Sequence, residues 1–541
     1  MNVDEEDKNY IITEINIEKS DINKKIRIIN SFEEANRNLY LRNLLVEKDY
    51  YKEENEKEIK DNCQIKINNI NIGFKYFYEF KEKGKFFIKY IFRNNLTKAN
   101  FLFFGCESII NINLTNFNTE NITDLSNMFY GCKSLENINL SNFNTQNVIN
   151  MRNLFAGCES ITNINLSSFN TYKITDMSGM FSNCKSLANI NMSNFNTENA
   201  INMSWMFNGC KSLKDLDLLN LNTQNVTNMN KMFSGCISLT NIKLSNFKTR
   251  NVEDLSEMFS GCKSLINIDI SNFNIQKATN LESMFSGCYS LKNINLSNLN
   301  TINVTNMRGM FSWCVSLTNI NLSNLNTDKV IDMSNMFTGC KSLTDINLSN
   351  LNNQNVINMS GMFYGCESLK NIELSNFNTE NVNNMNCMFY GCKSLSNIDL
   401  TNFNTYNVTD MGGMFSGCES LTNLNLMNFN TRNVTNMSGI FYRCKSLAKI
   451  YLSNFNTRNV IDMRCMFYEC QLLTKIYLSN FNNKNATDMS EMFYGCKSLT
   501  DLNLSNFNTQ NEANMNNMFT GCILLKKENI ITNDKKILKQ F

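Results

Sequence analysis

Apolar residues recur along most of this chain in a fixed pattern of 26 positions. The pattern is clear in the stretch NITDLSNMFYGCKSLENINLSNFNTQ, which begins at Asn121 and is repeated with small changes toward the end of the chain. A constant period of this length is typical of stacked units that cannot bury their apolar face alone. The sequence therefore predicts a solenoid of about 17 repeats over residues 99–525. One cysteine marks each repeat, at Cys106, Cys132, Cys158, Cys184, Cys210, Cys236, Cys262, Cys288, Cys314, Cys340, Cys366, Cys392, Cys418, Cys444, Cys470, Cys496 and Cys522.

Each repeat carries two kinds of apolar spacing. Leu135, Ile138 and Leu140 have the spacing of a short strand after its lead-in, and copies of this strand are expected to pair in parallel with those above and below. The Met-Phe pair before the cysteine is expected to form the inward face of a helix or 3₁₀ piece of one or two turns, which Gly131 closes. The pattern predicts an α/β solenoid with a parallel strand ladder.

Residues 1–98 lie outside the repeat. YIITEINI near the start and CQIKINNINIGFKYFYEFKEKGKFFIKYIF near the end favour strands, and the charged stretch 31–60 between them favours helix. A solenoid needs its terminal faces covered, so we expect a small β-rich N-terminal capping domain over 1–98 and a C-terminal cap over 526–541.

Composition narrows the possible functions. The charge is nearly balanced, with 51 Lys and Arg against 49 Asp and Glu, so nucleic acid is not an expected partner. The chain has no histidine, which is the commonest general base and metal ligand, and we expect no enzymatic activity and no cofactor. Neither a signal peptide nor a transmembrane segment is visible. The expectation is a monomer in the cytoplasm, or a cell-surface or secreted protein if it is exported by another route.

Twenty cysteines raise the question of disulfides or metal. A single thiol per repeat forms a line, whereas zinc prefers four convergent ligands, and parallel in-register side chains are poorly placed for a disulfide. We therefore expect the cysteine column to consist of buried, reduced thiols that fill a tight corner. Cys63, Cys387 and Cys465 stand outside the column and are expected to be the accessible thiols.

The repeat resembles a known family. The blocks LSNFNT, NVTNM and MFxGC recur together and in order over residues 101–525, and they resemble the BspA-like leucine-rich repeat, also described as the DUF285 or mycoplasma lipoprotein-type repeat. This resemblance implies a leucine-rich-repeat-like solenoid. It also implies roles in adhesion and protein binding, which belong to members that carry secretion signals.

Six residues are candidates for a binding site. The outward strand positions are Asn or Asp in most repeats, but in two consecutive repeats they become Lys449 with Tyr451 and Lys475 with Tyr477. Stacked like charges weaken a strand ladder, so stability gives no reason for these residues. They suggest a recognition patch for an acidic protein partner, with drift of surface positions as the alternative. Arg443 and Trp313 each replace the glycine before a column cysteine and complete the candidate set.

The sequence thus predicts a non-enzymatic scaffold that binds protein or mediates adhesion through its strand face. Two alternatives stay open at this point. The first is a structural or glycan-binding repeat protein without a specific protein partner, and the second is an enzymatic activity confined to residues 1–98.

Overall fold

The computed structural model describes residues 8–41, 55–296, 298–507 and 513–541. The chain divides into two compact units, Met1–Ser264 and Leu265–Phe541, and each is described by itself. In the described part of the chain, no helix combines the length and the apolar character that a membrane crossing requires.

The first unit opens with an antiparallel sheet built from segments with alternating burial. Strand β1 (Tyr10–Ile17) lies between β6 (Gly84–Phe92) and the first solenoid strand, and β3 (Cys63–Ile67) pairs with the other side of β6. Residues 42–54 of the stretch predicted to be helical lie outside the described residues. The elements are β1 (Tyr10–Ile17), a 3₁₀ turn (Lys19–Asp21), β2 (Lys25–Arg27), α1 (Phe32–Leu41), α2 (Glu56–Asn62), β3 (Cys63–Ile67), β4 (Ile70–Asn71), β5 (Phe77–Glu79) and β6 (Gly84–Phe92).

Strand β1 also pairs antiparallel with β7 (Ile109–Asn113), the first strand of the repeats. Glu14 on β1 ties the two parts together, because its carboxylate accepts hydrogen bonds from Asn111 at 2.6 Å and from Lys85 at 2.8 Å. Both bonds lower the pKa of Glu14, and the bond from Lys85 has the larger effect. The open edge of the first solenoid strand is thus covered, and we propose that residues 1–98 act as the N-terminal cap.

The repeats of each unit form short strands that pair in parallel, in register, with the strand 26 residues away. The solenoid of 26-residue repeats with a parallel strand ladder that the sequence predicts is confirmed. In the first unit β7 pairs with β8 (Asn137–Asn139), β9 (Asn163–Asn165) pairs with β10 (Asn189–Asn191), and β11 (Asp215–Asp217) pairs with β12 (Asn241–Lys243). In the second unit the strands are β13 (Asn267–Ile268), β14 (Asn293–Ile294), β15 (Asp345–Asn347), β16 (Asn371–Glu373), β17 (Lys449–Tyr451), β18 (Lys475–Tyr477), β19 (Leu502–Asn503) and β20 (Ile530–Ile531).

The prediction of a helical piece at the Met-Phe pair is wrong, because this segment is a series of tight turns. Asn127 and Gly131 have φ of 58° and 71°, and a left-handed residue at every fourth position prevents a continuous helix. Along this segment, the backbone N–H groups alternate between hydrogen bonds to the next turn and hydrogen bonds within their own turn. Those of Asn127 and Phe129 donate to carbonyls of the next turn, while those of Met128 and Tyr130 donate three residues back in their own turn. Half of the N–H groups in this segment therefore form hydrogen bonds between one turn and the next.

The core consists of the apolar columns, and the burial of the Met-Phe pair that the sequence predicts is confirmed. Met128 and Phe129 are fully buried, and their counterparts along both units are buried too. The phenylalanine rings stack from turn to turn, for example Phe129 on Phe155 with centroids 5.4 Å apart. Each stacking contact joins two turns and leaves none of the ring exposed, so a single turn has no core of its own.

The cysteine column is a row of buried, free thiols, as expected. In most turns Sγ lies close to the carbonyl of the phenylalanine 29 positions earlier, with Cys132 3.2 Å from the Phe103 oxygen. Burial raises the pKa of Cys132 well above its usual range. The prediction for Cys63 is wrong, because β3 places this side chain against the sheet, where it is only 6% exposed. Cys387 and Cys465 are partly exposed.

Native alkylation is therefore expected to label Cys387 and Cys465, and to label the other eighteen of the 20 cysteines only after denaturation. Burial raises the pKa of Cys387, and burial together with the hydrogen bond to Glu491 raises that of Cys465 to about 12. Both thiols should react more slowly than a free cysteine at neutral pH. Peptide mapping after timed iodoacetamide labelling measures this, and rapid native labelling of Cys63 would contradict the assignment.

A second ladder follows the threonines after the strand. Thr145 donates its hydroxyl to the carbonyl of Asn170 at 2.8 Å and accepts the N–H of the same residue, also at 2.8 Å. Asn353 occupies this position in one turn of the second unit. It is 1% exposed, and neither its amide nitrogen nor its amide oxygen has a hydrogen-bond partner.

The end of the second unit departs from the repeat. A 3₁₀ turn (Lys527–Asn529) leads into β20, which pairs in parallel with β19, and the short α3 (Lys535–Leu538) follows. Asp534 begins α3 by accepting the N–H of Lys536, and Ile537 is fully buried. We propose that residues 526–541 act as a C-terminal cap.

Candidate binding face

Within each unit, the outward strand positions and the equivalent positions of turns that carry no strand lie along one face. We call this the strand face, with a first column at the position of Asn137 and a second column at that of Asn139, on either side of a central isoleucine that points inward. Asparagine amides bond along it from turn to turn, as from Asn137 to Asn111 at 2.9 Å and from Asn189 to Asn163 at 2.7 Å. Much of the hydrogen-bonding capacity of these amides is therefore used within the face.

Four predicted residues interrupt this ladder together. Strands β17 and β18 pair Lys449 with Lys475 and Tyr451 with Tyr477. The tyrosine rings stack 4.8 Å apart at an angle of 6°. Tyr451 is 53% exposed and Tyr477 42%, and both lysines are exposed. We call these four residues the Tyr/Lys patch, which offers two cations beside a rigid aromatic surface.

Arg443 and Trp313 lie outside the strand face. Both occupy the position before the column cysteine, with φ of 56° and 59°. Arg443 donates to Glu469 at 2.7 Å, and this bond raises the pKa of the guanidinium. The Trp313 ring covers Gly339, where an added Cβ would stand 2.7 Å from the indole. The structure therefore brings four of the six candidates together and places these two at a different corner of the turn.

A row of carboxylates on the strand face was missed from the sequence. Asp345, Glu373 and Asp399 come from three consecutive turns and line a shallow groove of about 720 Å³. A bond from Asn371 lowers the pKa of Asp345, and bonds from Thr401 lower that of Asp399, so both stay ionised at neutral pH. We call these three residues the acidic groove. A residue-by-residue alignment of the repeats would have shown them as departures from asparagine.

One exposed methionine also departs from the repeat. Met427 stands where most turns have serine, and it is 73% exposed, well above Tyr451 at 53%. Its turn lies between the turn of Asp399 and the turn of Lys449, with the neutral Asn423 and Asn425 in the two columns. An apolar side chain thus marks the boundary between the acidic groove and the Tyr/Lys patch.

Parallel strands at a fixed 26-residue spacing, stacked phenylalanines and a strand face free of bulky cover define a solenoid of the leucine-rich-repeat type. The family described as "Mycoplasma protein of unknown function, DUF285" matches residues 97–217, 202–319, 314–425 and 419–533. The chain belongs to this family, which confirms the resemblance seen in the sequence.

Solved structures of similar proteins were found at low identity. A leucine-rich repeat protein from Eubacterium ventriosum is 16% identical, with 72% of this chain and 83% of that chain covered and a TM-score of 0.30. The functional domain of InlJ from Listeria monocytogenes, which includes a cysteine ladder, is 14% identical over 65% of each chain, with a TM-score of 0.18. The Toll–Spatzle complex of Drosophila gives 14% identity, coverage of 77% and 56%, and a TM-score of 0.24. No curated protein matches the sequence.

Proposed function

We propose that this chain is a non-enzymatic scaffold that binds protein through its strand face, with the Tyr/Lys patch as the contact for an acidic surface. The observation that carries the proposal is the in-register pairing of two exposed lysines and two stacked, exposed tyrosines in a ladder of asparagines. Like charges in adjacent strands cost a few tenths of a kcal/mol. Binding gives a reason for this arrangement that folding does not.

The chemistry of the patch fits an acidic partner. The Lys449 and Lys475 ammonium groups attract carboxylates and raise the rate of encounter. Tyr451 and Tyr477 supply large contact area at small cost in conformational entropy, because their rings are already held against each other. Arg443 has its charge engaged by Glu469, so we assign it no direct part in binding.

A variant in which all four patch residues become asparagine tests the proposal. Against immobilised peptides rich in Asp and Glu, we expect the wild-type chain to be retained and the variant to lose at least tenfold in affinity, as expected for the loss of two aromatic anchors and two charges. The melting temperature should stay the same or rise, because the lysine repulsion is gone. Surface plasmon resonance and thermal denaturation measure the two quantities.

The matched control removes two tyrosines and two lysines from other faces, as Tyr172→Asn, Tyr406→Asn, Lys211→Asn and Lys497→Asn, all of them exposed. This control should bind acidic peptides like the wild type. Equal retention by the patch variant would contradict the proposal. If both proteins instead bind neutral glycans on an array, the asparagine ladder is the binding face.

A further inference from the structure

The strand face of the second unit carries opposite charges on either side of its neutral turn. Counting from the turn of Met427, Asp399 lies one turn before and Tyr451 one turn after, while Glu373 lies two turns before and Tyr477 two turns after. All four occupy the second column of the strand face. Two carboxylates of the acidic groove and the two tyrosines of the Tyr/Lys patch are therefore placed symmetrically about one turn.

We propose that this face binds a second copy of the same chain, with the two solenoids antiparallel and related by a twofold axis along residues 423–425 of the Met427 turn. Such an axis reverses the order of the turns and keeps each column opposite itself. The proposal rests on the function proposed above and names the acidic surface that the Tyr/Lys patch binds. It replaces the monomer expected from the sequence.

The twofold axis sets complementary groups against each other. Tyr451 of one copy faces Asp399 of the other, and Tyr477 faces Glu373, so each hydroxyl can donate to a carboxylate. Lys449 and Lys475 stand one column away, within reach of the same carboxylates because their side chains are long. An isologous interface repeats every such contact twice.

Shape supports the same arrangement. The carboxylates line a groove, whereas the tyrosines project from the face with 53% and 42% of their surface exposed. The projecting pair of one copy therefore enters the groove of the other. Met427, 73% exposed, lies at the axis and meets its own counterpart, which gives the polar interface an apolar centre.

Like charges limit the length of the proposed interface. Three turns from the axis, Asp345 on one side meets Asp501 on the other, and this like-charge contact ends the favourable region after five turns. At about 4.8 Å per turn these five span roughly 24 Å, a small footprint for a dimer. We expect a dissociation constant in the micromolar range that weakens as salt rises from about 0.1 M to about 1 M.

A charge exchange with the full-length chain tests the pairing. One variant carries Glu373→Lys and Asp399→Lys, and the other carries Lys449→Glu and Lys475→Glu. By sedimentation velocity, the wild type should dimerise at low salt, each variant alone should stay monomeric, and an equal mixture of the two should form a heterodimer at least as tight as the wild-type dimer. Across the proposed interface the mixture sets opposite charges against each other, whereas each variant alone sets like charges against each other.

The control carries Arg432→Glu and Arg458→Glu, which change the charge equally on another exposed column and should dimerise like the wild type. A wild-type chain that stays monomeric at low salt, or a mixture that does not associate, overturns the inference. Binding of acidic peptides by a monomeric wild type would leave the proposed function intact. If the wild-type chain dimerises but does not bind acidic peptides, the Tyr/Lys patch serves self-association alone.

Discussion

Removal of one whole turn, residues 185–210, is expected to leave a folded protein, whereas removal of half of it, residues 185–197, is expected to abolish cooperative folding of the first unit. The full deletion joins Cys184 to Lys211, and every apolar column continues in register. The half deletion leaves a turn that cannot close, so the turns on either side lose their stacking partner.

The difference between the two deletions should be large. The deleted turn holds eight buried apolar side chains. The half deletion removes three of them and leaves the other five without a closed turn, together with the apolar columns of the adjacent turns. At roughly 1 kcal/mol or more for each side chain left uncovered, it costs on the order of 10 kcal/mol. Circular dichroism melts compare the variants, and equal melting temperatures with equal cooperativity would mean that the 26-residue unit is wrongly assigned.

Asn353→Thr is expected to raise the free energy of unfolding by about 1–3 kcal/mol, because it removes an unsatisfied buried amide and restores a hydroxyl to the threonine ladder. Thr327, one turn earlier, shows what the ladder provides, since it donates to the carbonyl of Asn352 at 2.8 Å. The reverse substitution Thr327→Asn should lower stability by a similar amount. Both residues have nearly the same volume, so packing changes little.

Chemical denaturation of the two single variants measures this pair of effects. A gain from Asn353→Thr with a loss from Thr327→Asn supports the ladder as a stabilising element of the second unit. No gain from Asn353→Thr, with a clear loss from Thr327→Asn, would show that the buried amide is satisfied by bound water in solution.

The sequence predicts the fold well because one constraint repeats. A fixed period places the same residue type at the same corner of every turn, so the burial of Cys132, Met128 and Phe129 follows from spacing alone. The conformation of the Met-Phe segment does not follow, since its apolar spacing fits a helix as well as tight turns. The deciding feature is the left-handed residue at every fourth position. In some turns this residue is of a type that seldom adopts positive φ, such as Trp205 or Lys231, so the sequence of a single turn does not reveal it.

The candidate site is predictable only in part for a related reason. Lys449, Tyr451, Lys475 and Tyr477 repeat in neighbouring turns, so their proximity follows from the period. The carboxylates of the acidic groove are single changes in different turns, and Asp345 stands in the other column from Glu373 and Asp399. Each carboxylate is an ordinary replacement for asparagine, and the three are recognised as a group only because they line the same groove.

The alternating use of backbone N–H groups has a mechanical consequence. Hydrogen bonds between turns lie along the stacking direction, so a force that pulls on the two ends of a unit loads them in series. The outermost turn has neighbours on one side only and gives way first, after which the next turn becomes outermost. Each release frees 26 residues, or roughly 80 to 90 Å of chain when extended. Under tension each solenoid unit would lengthen stepwise, as an extensible tether with one repeat as its unit of extension.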